Sequence, residues 1–201
     1  MKLDPFYLII DDARWLERLL PHGLRLVQLR IKDRPETQVR TQIRRAKELC
    51  AKAGATLVIN DYWQIAIEEA CDFIHLGQED LAEADVDAIR KAKCRLGIST
   101  HDPNELDIAL AMKPDYVALG PVFPTSLKQL DWAPQGVARV TEWKKRVGPV
   151  PLVAIGGLNV ERAQSVLEAG ADSAAVSTDV LGNPDPEARA REWVALSRAR
   201  A

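Results

Sequence analysis

Cysteine is scarce and scattered in this chain. Cys50, Cys71 and Cys94 are odd in number and widely spaced, with no CxxC pair and no zinc-ligand pattern among them. That excludes a disulfide scaffold and implies free, reduced thiols in a cytoplasmic protein. Long apolar runs are missing as well. Nothing approaches the roughly 20 residues of a membrane span. The opening MKLDPFYLII is too short in its apolar part for a signal peptide, and Asp11-Asp12 follow at once. Charge of one sign is also absent. The 27 Lys and Arg against 29 Asp and Glu leave a net charge of −2, with a pI near 6.0. A nucleic-acid partner is therefore not expected, and any basic residue that matters must act locally. Nor is there a linker, a low-complexity segment or a composition shift, so residues 1–201 read as a single domain.

What the chain does have is one alternation repeated from end to end. Phe6–Ile10 reads as a strand, and Trp15, Leu16, Leu19 and Leu20 as the apolar face of the helix after it. Leu26–Ile31 is a second strand, followed by a long helix from about Pro35 to Ala53. Leu57–Ile59 and Phe73–Leu76 are the third and fourth, with the helical spacing of Ile65, Ala66, Ile67 and Ala70 between them. Arg95–Ser99, Tyr116–Leu119, Leu152–Ile155 and Ser173–Ser177 complete the strands, and Pro186–Arg198 closes the chain as a helix. Short, mostly apolar strands in eight strand–helix units at roughly 25-residue spacing indicate a parallel sheet covered by helices. A (β/α)8 barrel fits best. A doubly wound open sheet would rarely need so many units in so short a chain.

In such a barrel the site lies at the C-terminal ends of the strands. Strand two places Gln28, Arg30 and Lys32 on one face, with Val27, Leu29 and Ile31 on the other. Asn60 and Asp61 follow strand three, and Asp80 follows strand four, which carries His75. Strand five ends in Ser99, Thr100 and His101, and the loop after strand six holds Thr125, Ser126 and Lys128. Gly156-Gly157 and Ser177-Thr178 follow the last two strands, the usual phosphate position of these barrels. A buried Arg or Lys calls for an anionic partner. Asp61 and Asp80 together suit Mg²⁺, which engages phosphate oxygens. Two anion sites result, one cationic and metal-assisted for a diphosphate, one of backbone and hydroxyl groups for a single phosphate. An enzyme that joins a diphosphate substrate to a monophosphate acceptor needs both.

Plainer readings stand beside these. Asp61 with Gln64 and Asp80 with Glu83 fit the capping box, in which an acid starts a helix. His75 alternates with apolar residues as a core histidine does, His101 precedes Asp102-Pro103 at a helix start, and Trp15, Trp63, Trp132, Trp143 and Trp193 sit at packing positions. No His/Asp or Cys/His constellation stands out.

The stretches QLRIKD (28–33), INDYW (59–63), HLGQEDL (75–81), LGIST-H (96–101), LGPVFPT (119–125), APQG (133–136) and AIGGL (154–158) resemble the thiamine-phosphate synthases, over nearly the whole chain. The resemblance implies transfer of the pyrimidinylmethyl group of 4-amino-2-methyl-5-hydroxymethylpyrimidine diphosphate to 4-methyl-5-(2-phosphoethyl)thiazole. It implies a pyrimidine-diphosphate site of Gln28, Leu29, Arg30, Ile31, Lys32, Asn60, Ser99 and Lys128 and a Mg²⁺ site of Asp61 and Asp80. It also implies a thiazole-phosphate site of Thr125, Ser126, Leu127, Gly157, Ser177 and Thr178. Arg30, Lys32 and Lys128 would carry catalysis by stabilising the departing pyrophosphate. No general base is needed, because the attacking nitrogen has no proton to lose.

Three departures fall on the thiazole side. Leu127 stands where the family has a second threonine, Ser177 where it has an aliphatic residue, and Asp179 adds a negative charge near the expected phosphate. On that reading Asp179→Ala tightens thiazole-phosphate binding, unless the acid caps the next segment through Asn183. Two other functions compete. One is the related thiazole tautomerase, whose loop histidine is replaced here by Pro121, and the other is a non-catalytic sensor of phosphorylated thiamine intermediates.

Overall fold

A strand covered on both faces is mostly apolar, and the strands of this chain are built that way. In the computed structural model, which describes residues 2–125 and 133–200, eight parallel strands pair in sequence order and close on themselves. They are β1 (Phe6–Ile10), β2 (Leu26–Leu29), β3 (Thr56–Asn60), β4 (Phe73–Leu76), β5 (Arg95–Thr100), β6 (Tyr116–Leu119), β7 (Leu152–Ile155) and β8 (Ser173–Val176). The ring is shut by β1 against β8, with Phe6 opposite Ala174 and Leu8 opposite Val176. The architecture is a (β/α)8 barrel.

Strand period two divides the apolar side chains into two cores. Val27, Leu29, Leu57, Ile59, Ile74, Ile98 and Val117 point outward into the layer between sheet and helices. Tyr7, Ile9, Leu26, Val58, Phe73, Tyr116, Val153 and Ala175 fill the barrel itself. The next inward position along several strands is polar: Gln28, Asn60 and His75 are buried there. The barrel is thus packed at the bottom and polar towards its C-terminal mouth.

The helices are α1 (Arg14–Leu19, extended by a 3-10 turn at Leu20–His22), α2 (Glu36–Ala53), α3 (Trp63–Glu68), α4 (Gln78–Glu83) and α5 (Val86–Lys91). They continue as α6 (Pro103–Ala111), α7 (Gly136–Val147), α8 (Val160–Glu168), α9 (Thr178–Leu181) and α10 (Pro186–Arg198). Trp143 and Trp193 are fully buried in the outer layer, and Trp15 and Trp63 pack against it; Trp132 lies outside the described residues. The three cysteines are free and buried. Among the described residues no helix is long and apolar enough to cross a membrane.

Candidate active site

A cavity of about 100 Å³ opens at the C-terminal mouth, with Gln28, Arg30, Asn60, His75, Ser99 and Tyr116 on its polar side and Ile9 and Ile155 on its apolar side. A larger cleft of about 280 Å³ lies at the opposite end, against Lys2, Leu3 and Asp172. Barrel chemistry belongs to the other face, and the polar groups converge there.

Arg30 is half-buried on this mouth and makes no ion pair among the described residues. The Asn60 side chain has no protein hydrogen-bond partner there either, although it is only 5% exposed. An unpaired guanidinium and an unpaired amide facing one cavity are the donors an anionic, polar ligand requires. Lys32 reaches sideways instead and forms an ion pair with Asp61. The side chains of Leu29 and Ile31 are buried in the outer layer, on the face opposite Gln28 and Arg30 as the strand period predicts, so any contact they make with a ligand in the mouth is through the backbone.

Asp61 sits at φ +63°, a left-handed conformation that acidic and amide side chains tolerate better than most. Its N–H donates to the His75 carbonyl at 3.0 Å, and the turn continues as the Trp63 N–H bonds back to the Asp61 carbonyl at 2.7 Å. This turn aims the carboxylate at Asp80. The capping reading fails for both acids. The residue before α3 is Tyr62 and that before α4 is Gly77, and neither helix start has a side-chain cap. Asp80 lies within the first turn of α4 and folds back over Gly77, where a Cβ would stand 3.3 Å from its Oδ2. Burial pushes its carboxyl above the ordinary range. The charge of Asp61 and a hydrogen bond to Asp61 add to that push, and Lys32 opposes it. Two facing oxygen donors with excess negative charge fit a hard cation such as Mg²⁺. No third His, Cys, Asp or Glu joins them among the described residues.

His75 is held at both nitrogens, Nδ1 by Tyr116 at 2.7 Å and Nε2 by Ser99 at 2.8 Å. Burial lowers its pKa to about 4; the Asp61 charge opposes this and the Arg30 charge adds to it. His101 is not the cap of α6. Asp102 is the cap, accepting from the N–H groups of Asn104 and Glu105, and Glu105 accepts from the His101 N–H just before it.

On the phosphate side, Gly156 and Gly157 adopt φ +99° and +63°. A Cβ on Gly157 would stand 2.3 Å from the Pro124 carbonyl oxygen, and one on Gly156 2.5 Å from Pro121 Cα. The glycines are required by the close passage of the loop after β6, which bonds here through the Phe123 N–H to the Gly156 carbonyl at 3.0 Å. That loop carries Thr125; Ser126, Leu127 and Lys128 lie outside the described residues. Ser177 precedes the short helix α9, which begins at Thr178, and its carbonyl accepts from the N–H groups of Val180 and Leu181. A short extra helix after strand eight is the usual phosphate element of this fold.

Asp179 corrects the expectation of a charge directed at the phosphate. Its carboxylate turns towards α10, accepting from Arg189 Nε at 2.8 Å, Arg189 Nη2 at 3.0 Å and Trp193 Nε1 at 2.8 Å. The suggested cap through Asn183 is also absent, since Asn183 Oδ1 accepts from the Asp185 N–H instead. Tyr7 and Tyr116 were not anticipated as cavity residues. Their inward parity on β1 and β6, and Gly97 directly opposite Tyr116, were the available signals.

A closed (β/α)8 barrel with an unpaired cation, a facing acid pair and a glycine turn at its C-terminal mouth is of the phosphate-handling enzyme class. A model of the thiamine monophosphate synthase family matches residues 6–180. The chain is 67% identical over 197 residues to the thiamine-phosphate synthase of Rhizobium etli, covering 98% of this chain and 97% of the relative. It is 51% identical to that of Cronobacter sakazakii over 179 residues, 89% of this chain and 85% of the relative. The thiamine phosphate pyrophosphorylase structure from Pyrococcus furiosus superposes with a TM-score of 0.87 at 25% identity, over 98% of this chain and 96% of that one. The chain belongs to the thiamine monophosphate synthase family.

Proposed function

We propose that this chain is a Mg²⁺-assisted thiamine-phosphate synthase, joining the pyrimidine diphosphate to the thiazole phosphate and releasing pyrophosphate. The observation that carries the reading is the convergence of Arg30, Asn60, Asp61, Asp80 and Ser99, from the ends of β2, β3 and β5, the turn after β3 and the first turn of α4, on one mouth of a barrel in this family. The C–O bond to the diphosphate breaks first, leaving a pyrimidinylmethyl cation stabilised by the ring's own amino group. The thiazole nitrogen then attacks that carbon. When bound, Mg²⁺ supplies positive charge to the diphosphate oxygens, and Asp61 and Asp80 are the residues that would hold it. Arg30, Lys32 and Lys128 stabilise the charge that grows on the leaving group, and Gln28, Asn60 and Ser99 orient the pyrimidine. The backbone of Leu29 and Ile31 completes that side. Thr125, Ser126, Leu127, Gly157, Ser177 and Thr178 receive the thiazole phosphate. The partners are these two small molecules, with no nucleic acid or membrane, and the buried free thiols support a cytoplasmic setting.

The test is product formation by the purified chain from both substrates, with Mg²⁺ and with chelator. Thiamine phosphate and pyrophosphate in equal amounts, lost on chelation, are expected. No product under either condition overturns the reading, and full activity in chelator overturns the metal.

A further inference from the structure

Below the mouth, side chains from five strands form one hydrogen-bonded chain across the inside of the barrel. Gln28 Nε2 lies 3.0 Å from the Tyr7 hydroxyl, which lies 2.9 Å from that of Tyr116. Tyr116 lies 2.7 Å from His75 Nδ1, and His75 Nε2 lies 2.8 Å from Ser99 Oγ. Both ends of the chain, Gln28 and Ser99, line the cavity.

Counting donors and acceptors gives this chain a direction. The amide nitrogen of Gln28 only donates, so the Tyr7 oxygen accepts and its single hydrogen passes to Tyr116. Tyr116 passes its own to His75 Nδ1. The imidazole is therefore neutral with its hydrogen on Nε2, and Ser99 accepts it. A hydrogen on Nδ1, whether the ring is protonated or the other neutral tautomer, would reverse the two tyrosines and leave the Tyr7 hydrogen facing an amide nitrogen that cannot accept. Two groups remain for the cavity, the Ser99 hydroxyl hydrogen and the Gln28 carbonyl oxygen. The latter has no protein partner among the described residues.

We propose that Tyr7, Tyr116 and His75 are positioning residues that fix the hydrogen-bond polarity of the cavity floor, an acceptor at Gln28 and a donor at Ser99, and so select a 4-aminopyrimidine ring. This rests on the assignment of the pyrimidine diphosphate to this site. The ring's amino group donates to Gln28 and a ring nitrogen accepts from Ser99. An analogue with an oxo group in place of the amino group sets two acceptors against each other at Gln28, and a buried mismatch of that kind is rejected strongly. The relay matters because an amide and a hydroxyl left to themselves would turn to suit either ligand. Tyr116 is itself seated by Gly97, whose missing Cβ would stand 2.1 Å from the Tyr116 ring.

The experiment measures binding of the amino and oxo pyrimidine diphosphates, of pyrophosphate and of the thiazole phosphate to wild type and Tyr116→Phe. The phenyl ring keeps its place and only the link in the chain is lost. Discrimination between amino and oxo ligands is expected to fall at least tenfold, with pyrophosphate and thiazole phosphate binding unchanged. Unchanged discrimination overturns the relay while leaving the enzyme's function intact. A wild type that does not bind the amino ligand overturns the functional reading, and the relay with it. Should Tyr116→Phe fail to fold, ¹⁵N NMR of histidine-labelled wild type decides. A His75 signal protonated at Nε2 and bare at Nδ1 supports the relay, and the opposite tautomer overturns it.

Discussion

At Asp80, burial and the neighbouring charge of Asp61 act in the same direction, and both hold the proton on. The sign of the consequence follows. A carboxyl whose folded value is raised binds its proton more tightly when folded, so unfolding releases protons between the ordinary value and the raised one. In metal-free buffer, stability contributed by this group is present below the ordinary carboxylate range and is lost as pH rises through the raised value. Asp80→Asn removes that fall, so we expect a higher Tm than wild type at neutral pH without metal. The same variant loses the Tm increase that Mg²⁺ gives wild type by binding the folded state. Thermal unfolding with and without Mg²⁺ checks both, and a lower Tm with an intact Mg²⁺ response would contradict the pairing. This acid pair was legible because strand ends can be counted along the chain. What the chain alone left open was capping against pairing. That depended on where the helices start, at Trp63 and Gln78, relative to each acid.

At the scale of the element, α9 is too short to be stable alone, since a single turn never repays its nucleation. Its position is held by Asp179, which joins it to α10 through a bidentate Arg189 pair and the buried Trp193 indole. Asp179→Ala is therefore expected to destabilise the fold by about 1–3 kcal/mol, because it strands a buried indole donor and one side of a charge-assisted pair. It should also raise KM for the thiazole phosphate, which we propose Ser177 and Thr178 receive, and leave KM for the pyrimidine diphosphate unchanged. Chemical denaturation and steady-state kinetics with each substrate varied measure the two effects. Tighter thiazole-phosphate binding would restore the repulsive role that proximity to Ser177-Thr178 suggests. Proximity along the chain misleads here because the partners stand ten and fourteen residues on, on another helix. Leu29 and Ile31, by contrast, were legible, because strand period two puts their side chains on the face opposite Gln28 and Arg30, and there they are buried.

Across the whole molecule, the proposed assignment puts both halves of the site on one stretch of chain, the one after β6. In sequence it runs from Gly120 past Thr125, proposed for the thiazole phosphate, to Lys128, proposed for the diphosphate. The barrel itself was readable from eight short, mostly apolar runs separated by helical stretches, because strands covered on both faces read as apolar runs. The reason for Gly156-Gly157 was not readable, because it depends on how closely a distant loop passes over them. A Cβ at position 157 would press 2.3 Å from the Pro124 carbonyl oxygen and 2.9 Å from Phe123 Cβ, on a backbone at φ +63°. Neither neighbour is the free end of a flexible side chain, so the loop must move. Gly157→Ala should therefore raise KM for both substrates and lower kcat, in contrast to the one-sided effect of Asp179→Ala. On the proposed assignment the displaced loop carries residues for both substrates, while Asp179 contacts Arg189 and Trp193 of α10. Steady-state kinetics of the two variants, each substrate varied at saturating levels of the other, separates the cases. If Gly157→Ala alters thiazole phosphate alone, the glycine acts through its own N–H on that phosphate, and the loop does not couple the two halves.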